Sequence, residues 1–374
     1  MGSAADSATL LETDRMQRPQ ITFGIIVLNG EPFTRYNLRA LYPFAHEIIV
    51  VEGASPHASR HATPDGHSVD GTLEVLRCFQ REEDPAGKLR IVTAEDEGYP
   101  DGFWPGEKDE QSRAYARRAS GDWLWQIDID EFYKPEDMRR VCELLVTHPE
   151  IDTMSFRTLT FWGGLTYHVD GWFLRHRREE EFHRLFRWRP GSSYTTHRPP
   201  TVHSPEGPDL RTLGWKRGYD LARDEGIFLY HYSLVFPFQV QAKGDYYSSY
   251  FQRSPDWAAT TFMRLERPFR VHAVHKYPSW LDRYRGDHPP HALELWADVE
   301  RGAFPTVRPR ATSDVDRLLA SPRYRLGRRG LKLSGHLIYG VRHAALRAFW
   351  SLPSAAQQFL KRKVPVLTRL VHST

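Results

Sequence analysis

Three acidic residues, Asp128, Asp130 and Glu131, follow directly after the bulky apolar segment 123–127. This segment is rich in β-favouring residues and free of charge, so it predicts a central strand that is covered on both faces. Ligands of open α/β sheets bind at the carboxyl ends of strands, where crowded carboxylates repel one another unless a cation separates them. Oxygen ligands suit a hard divalent ion, so the pattern predicts a metal site. The alternative is a strand that ends in solvent, with the next helix beginning near Pro135.

Alternating strands and helices precede this acidic segment. Each predicted strand is a short apolar run, and turn-forming residues separate most of these elements from one another. The predicted strands cover residues 21–28, 47–51, 88–93 and 123–127, and the predicted helices cover residues 33–42, 72–81 and 107–119. This order is typical of a parallel, doubly wound sheet. The sequence therefore predicts an α/β fold with the acidic strand end at its ligand-binding edge.

The chain after Tyr133 has a less regular pattern. We expect a helix over residues 138–146, followed by further strands and irregular regions. Strands are predicted over residues 152–161, 182–188 and 227–233, a Pro- and Gly-rich loop region over 190–226, and an aromatic, helical region over 234–300.

These segments together resemble the GT-A-fold glycosyltransferases of the family 2 type. The similarity covers residues 20–245, and the order and spacing of the motifs carry it. The motifs are Asn29-Gly30-Glu31; residues 50–55 with Glu52; Asp70-Gly71-Thr72; Lys108, Gln111 and Arg113; residues 119–123; and Asp128-Ile129-Asp130-Glu131-Phe132, which is similar to the D-x-D-E metal motif. The resemblance implies a Rossmann-like, mostly parallel sheet flanked by helices, with a nucleotide-sugar half at residues 20–133 and an acceptor half at residues 134–245.

The resemblance also implies a donor, a cofactor and site residues. The donor would be a UDP- or GDP-linked sugar, and Mn²⁺ or Mg²⁺ would stabilise the charge that develops on the departing nucleoside diphosphate. The implied metal ligands are Asp128, Asp130 and His231. The implied nucleotide-sugar contacts are Asn29, Glu31, Glu52, Lys108, Arg113, Asp128 and Lys243.

Some of these assignments have alternatives. His231 could instead be a core histidine that binds a backbone carbonyl, and Lys243 could be a solvated surface lysine. Lys108 and Arg113 lie about 1.5 turns apart on one predicted helix, so at most one of them can face a phosphate. Gly53 follows Glu52 where a second acid is common in the family, which leaves the contacts to the base and ribose open.

The general base that an inverting hexosyl transfer would require is not fixed by the sequence. The candidates are Glu181, Asp224 and Glu225, together with Glu179, Glu180, Glu206 and Asp209.

Other polar and aromatic residues near these motifs have structural and functional interpretations. The loop 55–69 contains His57, His61 and His67, which we expect to be solvated because they lack the helical spacing of a metal pair. The aromatic residues Trp162, Tyr167 and Trp172 could stack on a sugar or belong to the core.

Composition narrows the functional class. The chain has 374 residues, of which 13% are aromatic, and its two cysteines, Cys78 and Cys142, form no C-x-x-C motif. Cysteine usage therefore indicates a reduced compartment and no structural zinc. Residues 1–19 are expected to be a disordered leader without the apolar region of a signal peptide. No run of about 18 apolar residues predicts a membrane-spanning helix.

The net charge of +4 conceals an asymmetry. No acidic residue follows Asp316, whereas residues 317–374 contain twelve Lys and Arg, which leaves 39 basic and 47 acidic residues before them. Residues 246–310 are expected to form a helical aromatic extension, and residues 311–374 a basic amphipathic tail in which Leu337, Val341, Ala344 and Ala345 follow helical spacing.

This basic tail predicts a peripheral protein at the cytoplasmic face of an anionic membrane. It carries no nucleic-acid motif, so nucleic acid is not an expected partner. The implied acceptor is a glycan or a lipid-linked molecule, as in surface polysaccharide or glycolipid synthesis. The alternative is a tail that packs on the catalytic domain while its basic groups are solvated.

Two other functions are compatible with an acidic strand end. A haloacid-dehalogenase-type phosphatase also places D-x-D after an apolar strand, but near its N-terminus and before small residues, whereas Glu131 and Phe132 follow here after three earlier strands. The other alternative is a catalytically inactive GT-A-like membrane scaffold.

Overall fold

The computed structural model describes residues 18–106, 108–172, 181–251, 256–272 and 277–353. Within these residues the chain forms two compact units. Unit 1 contains the described residues up to 159, together with 182–233 and 286–308, and unit 2 contains those in 160–181, 234–285 and from 309 onward.

The regular elements are numbered here in chain order. The strands are β1 Ile21–Val27, β2 Ala45–Glu52, β3 Leu89–Val92, β4 Trp123–Asp128, β5 Glu131–Phe132, β6 Thr153–Trp162, β7 Tyr167–Gly171, β8 Glu181–Arg187, β9 Ser193–His197, β10 Pro200–His203, β11 Trp215–Lys216, β12 Leu229–Leu234 and β13 Ser279–Arg283. The helices are α1 Thr34–Leu41, α2 Thr72–Glu82, α3 Lys108–Arg118, α4 Pro135–Thr147, α5 Gly218–Asp220, α6 Pro237–Phe251, α7 Pro290–Glu300, α8 Ser313–Ala320 and α9 Pro322–Trp350.

A mostly parallel sheet forms the centre of unit 1. Strands β3, β2, β1 and β4 lie side by side in that order, all parallel, and β8 pairs with β4 in the antiparallel direction. Residues 48–51 of β2 are fully buried, which explains why their sequence is a continuous apolar run. The order 3-2-1-4 is that of a doubly wound mononucleotide-binding half. The predicted α/β class, with a mostly parallel sheet flanked by helices, is confirmed.

Aromatic packing fixes β4 within the core of unit 1. Trp125 stacks on Phe156 with ring centroids 5.4 Å apart, and Tyr133 contacts both rings edge-on. On α3, Tyr115 lies against β1 at Gly24, where a Cβ atom would come within 2.5 Å of the tyrosine ring. Glycine at this position therefore lets α3 approach the sheet closely, which positions the start of α3 near the carboxyl end of β4.

Two loops meet at the carboxyl edge of this sheet. At Gly66 in the loop after β2, a Cβ atom would lie 2.0 Å from the Gly102 carbonyl oxygen, and at Gly102 a Cβ atom would lie 2.0 Å from the Asp65 carbonyl oxygen. Both glycines also have positive φ, at 81° and 75°. This contact requires glycine on each side, because any side chain would separate the two loops.

Unit 2 contains the end of β6, followed by β7 and β13. β7 pairs antiparallel with β6 through Phe161 and His168, and β13 pairs antiparallel with β7. Helix α9 packs on this unit at Gly335, where a Cβ atom would lie 2.9 Å from the Trp172 ring. Within the described residues no helix is both long and apolar enough to cross a bilayer.

The second half of the chain contains structure that the sequence pattern did not predict. Residues 190–226 include the hairpin β9–β10, β11 and a π-helical turn at Leu221–Glu225, and β13 interrupts the region expected to be helical. These strands are only two to five residues long, so they offer too few alternating positions for a period to be recognised. The proposed domain boundaries at residues 245 and 310 stay predictions.

Candidate active site

A buried arginine occupies the acidic end of β4. Arg184 on β8 is 4% exposed, and its Nη2 donates both to Asp128 Oδ2, at 2.9 Å, and to Glu131 Oε1. The Asp128 amide donates to the other oxygen of Glu131, Oε2, at 3.0 Å. The expectation that a cation must lie between these carboxylates is therefore met by a side chain of the protein itself. This weakens the argument for a metal at Asp128, because Asp128 already has a permanent positive partner.

The pKa values of the two carboxyls in this cluster are shifted in opposite directions, because the nearby cations dominate at Asp128 and burial dominates at Glu131. Burial would raise the pKa of Asp128, but Arg184, followed by Lys108 and His197, lowers it well below its usual range. Burial raises the pKa of Glu131, and Arg184 only partly offsets that increase. The site thus holds Asp128 as a carboxylate at every physiological pH.

The second aspartate of the motif has a different partner. Asp130 Oδ1 lies 3.3 Å from His231 Nε2 on β12, and the Asp130 carbonyl accepts a hydrogen bond from the Tyr232 amide at 2.9 Å. The pairing of β12 with β5, which places His231 opposite Glu131, produces this proximity. The structure therefore brings together two of the three predicted metal ligands, Asp130 and His231, as one oxygen and one nitrogen donor.

Lys108 and Arg113 both lie on α3 but interact with different residues. Lys108 is close enough to Asp128 and His197 to affect the pKa of both. Arg113 instead pairs with Glu110 at 3.2 Å and donates to the Thr195 carbonyl at 2.8 Å. This agrees with the expectation that only one of the two can face a phosphate, and it favours Lys108.

His197 is a site neighbour that sequence reasoning missed. It ends β9, is 4% exposed, and its Nδ1 lies 2.9 Å from Ser112 Oγ on α3. Burial and then the charge of Lys108 lower its pKa well below the usual value, so the imidazole is neutral. Its strand lies in the region expected to be loop, and a lone histidine in a Pro- and Gly-rich segment gives no signal.

The acidic end of β2 is held by the loop that follows it. One carboxylate oxygen of Glu52 contacts His67 Nδ1 at 2.8 Å and the other accepts from the Ser68 amide at 2.8 Å, and the residue is fully buried. His67 Nε2 also lies 3.2 Å from Glu95. The expectation that His67 is solvated is therefore wrong, because two carboxylates hold its ring. Because Glu52 is fully buried, direct contact between its carboxylate and a nucleotide would require the surrounding loop to move.

Asn29 at the end of β1 binds the same loop. Its Nδ2 donates to the His61 carbonyl at 2.7 Å and its Oδ1 accepts from the Val69 amide at 2.8 Å. The Glu31 amide donates to Asp70 at 2.9 Å. Burial raises the pKa of Glu31 to about 7, with a smaller contribution from the charge of Asp70. Both predicted nucleotide contacts lie at the carboxyl edge, and Asn29 also fixes the loop.

The candidate general bases have other partners or lie outside the described residues. Glu225 forms two contacts with Arg140, at 2.8 and 3.1 Å, and Asp224 pairs with Arg223. These arginines lower the pKa of both carboxyls, which makes each a weaker proton acceptor. Asp209 is similarly bound to Arg211. The pKa of Glu206 is lowered by its hydrogen bond to Ser204.

The remaining base candidates and Lys243 are less defined. Glu181 begins β8, but its side chain lies outside the described residues, as do Glu179 and Glu180. Lys243 lies on α6 of unit 2. Its role as a diphosphate contact stays a prediction.

The proposed sugar-stacking aromatics belong mainly to the core of unit 2. Trp162 is fully buried, with the Arg310 guanidinium 4.6 Å from its ring centroid, and Tyr167 is 1% exposed. The indole nitrogen of Trp172 donates to the Leu331 carbonyl at 2.8 Å. Of the two interpretations, the core is the one observed for Trp162 and Tyr167.

The side chains beside the end of β4 include potential ligands for a divalent ion. Within the described residues, no three His, Cys, Asp or Glu side chains are grouped closely enough to hold a metal by themselves. Asp130 and His231 nevertheless form a carboxylate–imidazole pair, a donor set that Mn²⁺ accepts more readily than Mg²⁺. Ions of this kind use one or two protein ligands and complete their coordination with phosphate oxygens. The pair therefore fits the protein's share of such a site.

Comparisons with known proteins give partial fold similarity. No family model and no curated protein matches the chain. Among solved structures, S. aureus TarS 1–349 in complex with UDP-GlcNAc is 13% identical with a TM-score of 0.31, and 45% of each chain is covered. Glucosyl-3-phosphoglycerate synthase from Mycobacterium tuberculosis, in complex with Mn²⁺, UDP and phosphoglyceric acid, is 21% identical with a TM-score of 0.28. That match covers 40% of this chain and 46% of the other.

These matches therefore span less than half of the proteins to which the chain is similar. TM-scores this low describe a partial similarity of the fold and do not identify an activity.

Proposed function

We propose that this chain is a glycosyltransferase that moves a sugar from a nucleoside diphosphate-sugar to an acceptor hydroxyl. The observation that carries the proposal is the set of side chains at one edge of the parallel sheet of unit 1. Asn29, Glu52 and Asp128 end or follow three adjacent strands, and Lys108 and His231 lie beside the acidic motif. In open α/β sheets, ligands bind in the crevice outside this edge.

Charge supports a diphosphate ligand at this edge. Lys108 lies near Asp128, and its positive charge could meet a phosphate at this edge, whereas Arg184 is buried against Asp128 and Glu131. Asp130 and His231 are the residues that would hold Mn²⁺, whose role when bound would be to neutralise the diphosphate as a Lewis acid. Lys108 would supply a second positive charge to the phosphates. Arg184 has a different task, since it keeps Asp128 ionised and in place.

The finer assignments rest on the resemblance described for the sequence. We propose a UDP- or GDP-linked hexose as donor, a glycan or lipid-linked acceptor, and inversion at the transferred carbon. The pathway would be surface polysaccharide or glycolipid synthesis. Among the base candidates, Glu181 stays a prediction, because its side chain lies outside the described residues. A phosphatase is less compatible, because the acidic motif follows the fourth strand of the chain.

Donor hydrolysis by the purified protein tests the proposal. UDP or GDP release from a panel of nucleotide-sugars should depend on added Mn²⁺, and the productive nucleotide with Mn²⁺ should raise the melting temperature. Asp130→Asn should reduce turnover by roughly 100-fold or more, as expected for the loss of one charge-stabilising group. Its unfolding midpoint should stay close to that of the wild type.

Asp122→Asn is a matched control, because Asp122 is exposed and precedes the opposite end of β4. This control should retain turnover within about twofold. Release of inorganic phosphate from monoesters without nucleotide release would indicate a phosphatase. Absence of both activities, with no shift by any nucleotide-sugar, would contradict an enzymatic role.

A further inference from the structure

Helix α9 of unit 2 exposes an apolar stripe. Leu326, Leu333, Leu337 and Val341 are 73%, 64%, 62% and 71% exposed. They are seven, four and four positions apart, so they recur on one side of the helix. Four large aliphatic side chains aligned in this way are unusual on a soluble surface, where exposed apolar residues are normally scattered.

The opposite side of α9 is the one that packs on unit 2. Tyr324 is 3% exposed and donates a hydrogen bond to the Pro268 carbonyl at 3.3 Å, and Gly335 lies against Trp172. Because a packing face is already present, the apolar stripe is not the core-facing side of the helix. One face of α9 is therefore used for attachment within unit 2, and this attachment does not account for the exposed stripe.

The basic residues of α9 divide between these faces. Arg328 Nη1 donates to Asp282 at 2.6 Å, and Lys332 Nζ lies 3.0 Å from Asp282 and 3.2 Å from Asp170. These two cations serve the attachment of the helix. Arg325 and Arg329 are exposed instead, and their spacing places them beside the apolar stripe.

We propose that the exposed face of α9 binds the interface of an anionic lipid bilayer. A helix with an apolar stripe flanked by arginines can bury the leucines among acyl chains while the guanidinium groups contact lipid phosphates. The helix would lie along the surface, in agreement with the finding that no described helix can span a bilayer. The proposal is independent of the proposed function, because it involves residues of unit 2 alone.

Charge argues for lipid over the other occupants. No acidic residue follows Asp316, so two copies of this face would bring arginines against arginines. An anionic membrane instead offers both a negative surface and an apolar interior. A nucleic acid would satisfy the arginines but leave the four aliphatic side chains in water.

Vesicle flotation with the full-length protein tests the proposal. Wild-type protein should float with vesicles that contain phosphatidylserine at low salt, bind much less to pure phosphatidylcholine vesicles, and release at high salt. The double substitution Leu333→Ser and Leu337→Ser should lower the partition coefficient by roughly tenfold or more. Arg325→Gln with Arg329→Gln should lower it by roughly 30-fold at low salt, since each basic residue contributes about a factor of five.

Leu293→Ser is the matched control, because Leu293 is 46% exposed on α7 of unit 1. It should leave flotation unchanged. All substituted residues are exposed, so thermal denaturation should show native melting for each variant. Flotation that survives the double leucine substitution would overturn the proposal and assign binding to another part of the chain. A wild-type dimer that becomes monomeric in the leucine variant, with no flotation in either, would assign the face to a second copy instead.

Discussion

The negative charges at the ends of β2 and β4 are balanced by different types of side chain. β2 ends in the buried Glu52, whereas β4 ends in the partly exposed Asp128, which lies beside the buried Glu131. The two strands lie on opposite sides of β1. At β4 the partner is Arg184, a permanent cation on the neighbouring antiparallel strand, whereas at β2 the partner is His67, a titratable group on the loop that follows. The acidic end of β4 is therefore paired with a cation that does not titrate, whereas the acidic end of β2 depends on a loop and on the protonation of His67.

Removal of the permanent cation should produce the largest effect. Arg184→Gln would leave Asp128 and Glu131 without their charge partner in a buried site, which should lower the free energy of unfolding by about 3–5 kcal/mol. Urea denaturation measures the loss. Arg187→Gln is the matched control on the same strand, since Arg187 is less buried and its partner Asp152 is partly exposed.

A second substitution separates charge burial from general disruption. Glu131→Gln in the Arg184→Gln background should recover part of the lost stability, because it removes one of the two unpaired acids. If Arg184→Gln cost no more than Arg187→Gln, or if the double variant gained nothing, the permanent-cation interpretation of β4 would be wrong.

The loop that supports the β2 end should be sensitive at its glycine contact. Gly66→Ala should cost about 2 kcal/mol or more, because the left-handed backbone alone costs about 1–2 kcal/mol and the new methyl group would meet the Gly102 carbonyl. Gly71→Ala is the control: its φ is also positive, at 89°, but nothing lies within 4 Å of the added atom. Equal losses of stability in thermal or urea melts would show that contact between the loops is unimportant.

The β1 end offers a third, intermediate case. Burial raises the pKa of Glu31 to about 7, so the folded state binds this proton more tightly than the unfolded state. The contribution of the protonated Glu31 carboxyl to stability is complete below about pH 4.5 and is lost as the pH rises through 7. Glu31→Gln should remove about 1–2 kcal/mol of this decline, given its partial exposure. Urea melts at pH 5 and pH 8 measure this decline in the free energy of unfolding. The control Glu74→Gln, at an exposed residue, should show the same decline as the wild type.

The smallest expected effect concerns His67. Burial opposes protonation, but the hydrogen bond and charge of Glu52, with Glu95 and Asp65, raise the pKa of His67 above its usual value. The stabilisation is therefore present below about pH 6.5 and is lost as the pH rises through the raised value. His67→Gln should reduce the pH-dependent change in the free energy of unfolding by less than about 1 kcal/mol. If an NMR titration gave His67 an ordinary pKa, the proposed difference between the β2 end and the β4 end would be wrong.

The sequence was most informative where structure is local. The strands of the parallel sheet are continuous apolar runs bounded by Gly, Pro or acidic residues, so their positions and the carboxyl-edge placement of Asn29, Glu52 and Asp128 followed from pattern alone. The proximity of His231 to Asp130 also agrees with the position expected for a late histidine.

The sequence was least informative where partners are distant along the chain. Arg184 lies within the strand predicted over residues 182–188, but its burial depends on how β8 aligns with β4, and its partner Asp128 is 56 residues away in the chain. His67 was expected to be solvated because it lacks the spacing of a metal pair, and its two carboxylate partners come from other segments, β2 and the turn after β3. Such pairings are decided by tertiary packing and leave no periodic signal.

The mutual contact of Gly66 and Gly102 has a consequence for protein engineering. The two loops cannot be exchanged or randomised one at a time, because each supplies the backbone surface against which the other folds. Libraries that vary these loops should therefore transplant both as a matched pair. A graft of one loop alone is expected to disrupt folding at the contact between Gly66 and Gly102.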